Sequence, residues 1–466
     1  MAEQYDVLVI GAGAGGYVAA IRCSQLGMRT AIVDKQWLGG VCLNEGCIPT
    51  KSLLKNAEIA HLLRERADEF GFSFDNLKLD YSKAVKRSRQ VSERLTKGVG
   101  FLLKKNNVTY YPGEARVVTP GEVQVTALDG SLHELETKNI IIATGSHPVQ
   151  IPGVEIDGKK VITYQEAIMQ ETLPASVVII GAGAIGLEFA TVWSAYGSRV
   201  TMVEMLPSIA PLEDAEVSAE LIKAFTKRGI KILVDTMVKA IDATDKGVKV
   251  TVEGQSGVQI LEAEQALIAT GFRPNSLGLG LEDIGVKLTE RKFVVVNDDM
   301  STSVKGIWAI GDVTGKLLLA HVASRQGIIC AEAIAGKEII PIDYVMVPRA
   351  TYCQPQVASF GLTEAQAREQ GKSIKVSKFP FQASGKALGL GDYAGFAKII
   401  VDDQYGEILG AHLIGPEVSE LLPELTLAQQ NELTISEIAN NIHAHPTLSE
   451  VLMEAAEGAE GRPIHI

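Results

Sequence analysis

The 466-residue chain carries 44 Lys and Arg against 56 Asp and Glu, a formal charge of −12, which argues against nucleic acid as a main partner because polyanion binding rests on a basic surface. Charged residues at 21% and apolar ones at 46% exclude a disordered chain, and five cysteines over this length exclude a disulfide-stapled secreted fold. The 45 glycines exceed the average of about 7% and follow no collagen period, so several tight backbone turns are expected.

In chain order, the start MAEQYDVLVIGAG runs straight into an apolar strand, with no basic region and no cleavage site. A secretory leader is therefore not expected. The longest apolar stretch, 176–193, is near membrane-spanning length but contains Gly181, Gly183, Gly186 and Glu188, so it reads as strand, turn and helix. The expectation is a cytoplasmic protein with no membrane partner, or an organellar matrix protein whose transit peptide has been removed.

Residues 5–35 and 175–205 form an internal repeat, with 12 of 31 positions identical at an offset of 170. Each copy reads as buried strand, GxGxxG, helix, second strand and a terminal acid. The first copy offers Gly11, Gly13, Gly16 and Asp34; the second offers Gly181, Gly183, Gly186 and Glu204. The first glycine turns the strand, the second admits a pyrophosphate to the backbone, and the third packs helix on strand. The helix N-terminus faces the phosphates and the acid accepts from ribose hydroxyls. A lone GxGxxG is only a glycine-rich turn; two in this context predict two dinucleotide-binding folds.

Both repeats close on similar sequences, IIATG ending at Gly145 and LIATG ending at Gly271. From first to last glycine the copies span 134 and 90 positions, a surplus of 44 residues in the first. Two cysteines fall inside that surplus, which points to a resident flavin in the first domain and a diffusible nicotinamide in the second. A short apolar run ends at Gly311–Asp312; alone it is a strand closing in a Gly-Asp turn, but beside the first GxGxxG it suggests a return of the flavin domain. After residue 346 no glycine fingerprint appears; strand-like runs at 396–401 and 408–414 and helical patterns at 419–430 and 435–441 predict a separate α+β domain. The expected class is α/β: two Rossmann-like domains, for FAD and NAD, plus the α+β domain. The expected segments are 1–149, 150–274, 275–345 and 346–466.

Cys42 and Cys47 lie in GGVCLNEGCIPTKSLL. A disulfide needs Cα atoms roughly 4.4–6.8 Å apart, whereas five steps of regular helix rise about 7.5 Å. Pairing therefore requires a turn or a distorted helix before Cys47, which Gly39, Gly40 and Gly46 permit, while Pro49 suits a first helical turn. Cys47 near a helix N-terminus has its thiolate favoured. A zinc site needs further ligands, and the nearest His is His61; no metal is expected. Two unrelated buried thiols are the blander alternative.

GGVCLNEGCIPTKSLL resembles the redox motif of the pyridine nucleotide–disulfide oxidoreductases. The likeness covers essentially the whole chain, through both GxGxxG units, the Gly-Asp motif, LAHVAS at 319–324 and HAHPTLSE at 443–450. It is most similar to the branch that oxidises dihydrolipoyl groups in 2-oxoacid dehydrogenase complexes and the glycine cleavage system. The resemblance implies that Cys42 meets the substrate, that Cys47 faces the flavin, and that Lys51 sits beside the flavin ring and pairs with Glu188. It implies that Asp312 contacts the ribityl chain and that Ile185 guards the nicotinamide pocket. It further implies a homodimer through the C-terminal domain, in which His445, oriented by Glu450, reaches the partner's cysteines as base. His445 alone among eight histidines combines a following proline with an acid five residues on; by itself that could be a capping histidine, but histidine suits proton transfer near neutrality. Val41, Glu45 and Thr50 depart from the family's usual Thr, small apolar residue and Ser, and Glu45 is placed to raise a thiol pKa.

Glu204 followed by MLPSIAPL, which lacks Arg and Lys, favours NAD over NADP. The alternatives are another disulfide reductase of the same family, or a non-catalytic assembly subunit. Cys23, Cys330 and Cys353, and likewise His412 and His443, are expected to be structural.

Overall fold

In the computed structural model, which describes residues 3–465, backbone packing divides this α/β chain into two units. The first takes in the chain up to Ser52, Lys83–Val149 and Gly271–Tyr344; the second takes in Leu53–Ser82, Gln150–Thr270 and the chain from Val345 onward.

In the first unit the strand Glu3–Ile10 lies parallel between Thr30–Asp34 and Leu132–Ile142. Ile307–Ala309 extends this sheet in parallel beyond Leu132–Ile142. Thr109–Thr119 starts parallel to Thr30–Asp34, then runs into an antiparallel meander with Glu122–Ala127 and Leu132–Ile142. The parallel stretches 7–10, 31–33 and 140–142 are continuous buried apolar runs, as expected where both faces are covered, whereas the meander strands alternate exposed and buried residues. Helices Ala14–Gln25 and Ala320–Ile334 pack on one another with very small residues at the contact: a Cβ on Gly327 would lie 2.7 Å from the Gly15 carbonyl oxygen. Cys23 and Cys330 are fully buried here. Burial pushes the Cys23 thiol up to about 12 and Cys330 well above its ordinary value, so neither supplies a thiolate.

The second unit holds a five-stranded parallel sheet in the order Lys231–Leu233, Arg199–Val203, Ser176–Ile180, Gln265–Ile268, Val161–Ile162. The apolar run from 176 resolves into the strand Ser176–Ile180 and the helix Ala184–Tyr196. A three-stranded antiparallel sheet spans Met237–Thr244, Gly247–Gly254 and Gly257–Ala263. The C-terminal part is a five-stranded antiparallel sheet in the order Arg349–Thr351, Gln356–Gly361, Ile408–Gly415, Phe396–Asp402, Ile374–Pro380. Helices Val418–Gln430 and Glu450–Ala459 bury their apolar stripes on one face of it. Among the described residues no helix is long and apolar enough to cross a membrane.

The opposite face of that sheet carries Lys398, only 1% exposed. Its ammonium meets Asp214 at 3.0 Å, Glu216 at 2.8 Å and Glu364 at 2.8 Å. Burial works against ionisation of Asp214 and Glu216, but Lys398 with the Glu216 N–H outweighs it at Asp214, and Lys378 with Lys398 at Glu216; both carboxyls, and that of Glu364, sit below their ordinary range. Depressed carboxyl values stabilise the fold above the ordinary values of 3.8 and 4.5, and this stability is lost as pH falls through the folded values. Lys398→Met strands a buried carboxylate and is expected to lower stability by about 3 kcal/mol at pH 7. Thermal midpoints from pH 7 to pH 3 check this: the gap between variant and wild type narrows at the acid end. An unchanged midpoint at pH 7 contradicts it.

Candidate active site

The two glycine loops are built alike. Gly11 and Gly181 take φ of +103° and +100°, where a side chain is strained, and a Cβ would strike the carbonyls of Ala143 and Ala269 at 2.3 and 2.4 Å. The third glycines abut the first: a Cβ on Gly16 or Gly186 would lie 1.8 or 2.1 Å from the carbonyl oxygen of Gly11 or Gly181. The second glycines, Gly13 and Gly183, have nothing within 4 Å of a built Cβ. They cap the helices Ala14–Gln25 and Ala184–Tyr196 with no side-chain acceptor. Orphan N–H groups at a helix start, facing open space beside a glycine, fit a pyrophosphate.

The acids also correspond. Asp34 Oδ2 accepts from Ala12 N and Glu204 Oε2 from Ala182 N, each at 2.7 Å. The other oxygen of Asp34 accepts from Gln36 and Trp37 N, and that of Glu204 from Leu206 N. Each carboxylate thus ties the end of the second strand to the glycine loop. Further lone pairs suit ribose hydroxyls, since a carboxylate accepts about four hydrogen bonds. Ile185 is half-buried in the first turn of its helix.

In the first unit Gly145, at φ +71°, precedes the strand Ser146–Pro148, which pairs with Phe272–Pro274. Gly271 enters this pairing and accepts from Val149 N at 2.9 Å. Ser146 Oγ donates to Asp312 Oδ2 at 2.7 Å; burial raises the Asp312 pKa while that hydrogen bond opposes the rise.

The dithiol segment rests on the first glycine loop. Gly39 N donates to Ala12 O at 2.8 Å, and a Cβ on Gly40 would come within 2.6 Å of the Gly13 Cα. Helix Gly40–Asn44 ends before Gly46, and a new helix, Cys47–Glu65, begins at Cys47. The break brings the Cys42 and Cys47 thiols into hydrogen-bond contact. That bond pushes the Cys42 thiol up, burial and the nearby sulfur charge add to it, and the Lys51 ammonium pulls the other way. Cys42 therefore needs a base to become a thiolate. Glu45 is buried, and its charge supports the Arg89 guanidinium against burial. Thr50 keeps the hydroxyl of the usual Ser and donates to Gly46 O at 2.7 Å.

In the second unit Glu188 is 4% exposed and accepts from Tyr352 N at 3.0 Å through Oε1. His445 Nδ1 lies 2.8 Å from Glu450 Oε1, while Glu450 Oε2 accepts from Thr447 N at 2.8 Å. A carboxylate there makes Nδ1 the donor and leaves Nε2 as the acceptor. Burial raises the Glu450 pKa, but Thr447 N–H and His445 together hold it below the ordinary value. Each catalytic candidate therefore has a close neighbour within its own unit: Cys42 with Cys47 and Lys51, His445 with Glu450. His412 is fully buried with Nε2 against Leu362 O, and His443 meets Glu424 at 3.0 Å. Burial pushes the Cys353 thiol up.

Several supporting residues have weaker sequence signals. Asn44 donates to Leu38 O and Gly40 O and accepts from Thr96, while Arg89 donates to its carbonyl. Thr96 and Arg89 lie 52 and 45 positions away in sequence. Thr447 could have been found, because Thr-x-x-Glu at 447–450 is the spacing in which a glutamate reaches back to a backbone N–H.

The family model for pyridine nucleotide-disulphide oxidoreductases matches residues 5–327, and that for their dimerisation domain matches 347–456. The chain belongs to the pyridine nucleotide-disulphide oxidoreductase family. Family relatives named dihydrolipoyl dehydrogenase span its full length: one from Mycobacterium leprae is 52% identical over 99% of both chains, and one from Corynebacterium glutamicum is 47% identical over 100% of both. Among solved family structures, LpdA from Mycobacterium tuberculosis superposes with a TM-score of 0.91 at 28% identity, covering 97% of this chain and 99% of that one.

Proposed function

We propose that the chain is a homodimeric, FAD-dependent dihydrolipoyl dehydrogenase that passes electrons from protein-bound dihydrolipoyl groups to NAD. The observation that carries this reading is the Cys42–Cys47 contact, seated by Gly39 and Gly40 on the first glycine loop. Full-length relatives bearing that name support it.

The roles follow from local chemistry. His445, with Nε2 as acceptor, takes a proton from a substrate thiol, and the thiolate attacks Cys42 Sγ of the oxidised pair. The Cys42–Cys47 bond breaks and its electron pair passes to Cys47. The second substrate sulfur then attacks the substrate sulfur of the mixed disulfide, its proton passing to the departing Cys42; this releases cyclic lipoyl disulfide and leaves Cys42 as thiol and Cys47 as thiolate, with the first proton on His445. Glu450 holds the imidazole in one tautomer and stabilises its cation. Bound FAD supplies two-electron acceptance from the dithiol and hydride donation to NAD. Gly11, Gly13, Gly16, Asp34, Lys51, Gly145 and Asp312 would hold FAD; Gly181, Gly183, Ile185, Gly186, Glu204 and Gly271 would hold NAD. The four segments 1–149, 150–274, 275–345 and 346–466 are the proposed flavin, nicotinamide, returning flavin and dimerisation parts. The dimer reading rests on the matched dimerisation domain and on exposed side chains beside the candidate base: His445 is 78% and Ile442 94% exposed. We place the protein in the cytoplasm, serving a 2-oxoacid dehydrogenase complex or glycine cleavage system.

The test is a substrate matrix on the purified flavoprotein: dihydrolipoamide with NAD or NADP, and glutathione disulfide with NADH or NADPH. Turnover confined to dihydrolipoamide with NAD is expected. NADPH-driven glutathione disulfide reduction without dihydrolipoamide oxidation overturns the reading in favour of a different disulfide reductase. Gly183→Val tests the second loop separately. Its side chain meets open space, so the fold and flavin content are retained, while KM for NAD rises by about tenfold or more as the pyrophosphate loses its approach. Unchanged KM contradicts the assignment.

A further inference from the structure

The C-terminal antiparallel sheet carries a polar row that crosses all five strands. Arg349 is in register with Ser359, Ser359 with His412, His412 with Lys398, and Lys398 with Lys378. Ser359, His412 and Lys398 are at most 1% exposed. A polar line through a buried face is costly unless partners meet it. The partners come from the nucleotide-binding segment, in the acidic turn at 213–216 that opens the helix Ala215–Lys227. Asp214 caps that helix by accepting from Glu216 N at 3.1 Å and also meets Lys398; Glu216 meets both Lys398 and Lys378. Glu213 faces Arg349 at 3.9 Å. Glu364 N donates to Asp214 Oδ2 at 3.3 Å.

The same turn is wired to the second glycine loop. Glu213 N donates to Ala210 O, and Ala210 N donates to Ala182 O, both at 2.9 Å. Ala182 is the middle residue of GAG, and its own N–H is held by Glu204. Residues 205–212 therefore form a strap with two anchors: the glycine loop and Glu204 at one end, the cross-sheet cations at the other.

We propose that Lys398, Asp214 and Glu216 are positioning residues for the NAD site, fixing the 205–212 strap and, through Ala210, the approach of the adenosine half of NAD to Gly183 and Glu204. This rests on the reading of the second glycine loop as the NAD site. The cation row lends the strap the rigidity of the sheet, and none of the three side chains touches NAD. Removing a charge loosens the strap and weakens NAD binding, while the dithiol of the other unit and His445, which lies outside this network, keep their chemistry.

The experiment uses the FAD-loaded dimer with Glu216→Gln, which keeps the shape and is half-exposed, and with Lys398→Met. Two readouts are taken for each: KM for NAD in steady state, and anaerobic reduction of the bound flavin by dihydrolipoamide without NAD. The expected result is a KM for NAD raised by about threefold in Glu216→Gln and about tenfold in Lys398→Met, a size typical of couplings through connected networks. Flavin reduction is expected to stay within about twofold of wild type in both. A KM equal to wild type in both variants overturns the proposal, and so does a parallel fall of both readouts, which marks a purely structural role. If Lys398→Met fails to fold, Glu216→Gln decides alone. Wild-type protein that does not use NAD sinks the functional reading itself, which separates the two failures.

Discussion

Cys42→Ser is expected to abolish dihydrolipoamide oxidation, with turnover reduced by at least about 10³-fold, as for loss of a reacting nucleophile from a catalytic unit. The hydroxyl cannot form a disulfide with Cys47, so no disulfide remains for the substrate thiolate to attack. The substitution is nearly isosteric, and the anchors of its helix are elsewhere: Gly39 N on Ala12 O, Gly40 on Gly13, and Asn44 on two carbonyls. Flavin content is therefore expected to match wild type. NADH oxidation by an artificial quinone, which bypasses the dithiol, is expected to stay within severalfold. Dihydrolipoamide turnover near wild type in this variant excludes Cys42 as the exchanging sulfur.

His445→Gln is expected to lower kcat for dihydrolipoamide by about 10² to 10⁴-fold, the usual contribution of a positioned base. The need lies in the substrate, whose thiol must lose its proton before it attacks Cys42 of the oxidised pair. Neither the disulfide nor the Lys51 ammonium accepts that proton. Addition of free imidazole is expected to restore part of the rate, which a merely structural histidine would not allow. Glu450→Gln is expected to cost less, because an amide oxygen still accepts from Nδ1. The depressed Glu450 carboxyl stays ionised above its ordinary value of 4.5, and its orienting role fades only as pH falls through the lower folded value. Wild-type kcat in His445→Gln contradicts the role of base.

The parts of this site that are local in the chain were legible from the residues. Gly11 to Asp34 and Gly181 to Glu204 each lie within one strand–helix–strand stretch, where turn geometry and helix start depend on neighbours alone. Cys42 and Cys47 were similarly readable, because helix rise forbids their approach unless the helix breaks, and it breaks before Gly46. The double duty of Asp34 and Glu204 was not readable: their grip on Ala12 and Ala182 depends on how the second strand stops beside the first loop. Glu45 next to the dithiol suggested an influence on thiol ionisation, yet Arg89, 44 positions later, is where its charge registers.

The cross-sheet row was the least legible element. Lys398 sits in the strand-like run at 396–401 and Asp214 beside Glu213, and neither neighbourhood signals a buried partner. Their ion pair joins residues 184 positions apart, which no local pattern encodes. The register that aligns Arg349, Ser359, His412, Lys398 and Lys378 exists only once five strands have paired.

The most direct test of the central claim, that electrons pass through Cys42 and Cys47, is NADH-dependent alkylation of the holoenzyme with peptide mapping. Iodoacetamide is expected to label Cys42 after NADH reduction and not before, with Cys23, Cys330 and Cys353 unlabelled in the folded protein. Labelling that ignores NADH, or that falls on Cys353 in place of Cys42, contradicts it.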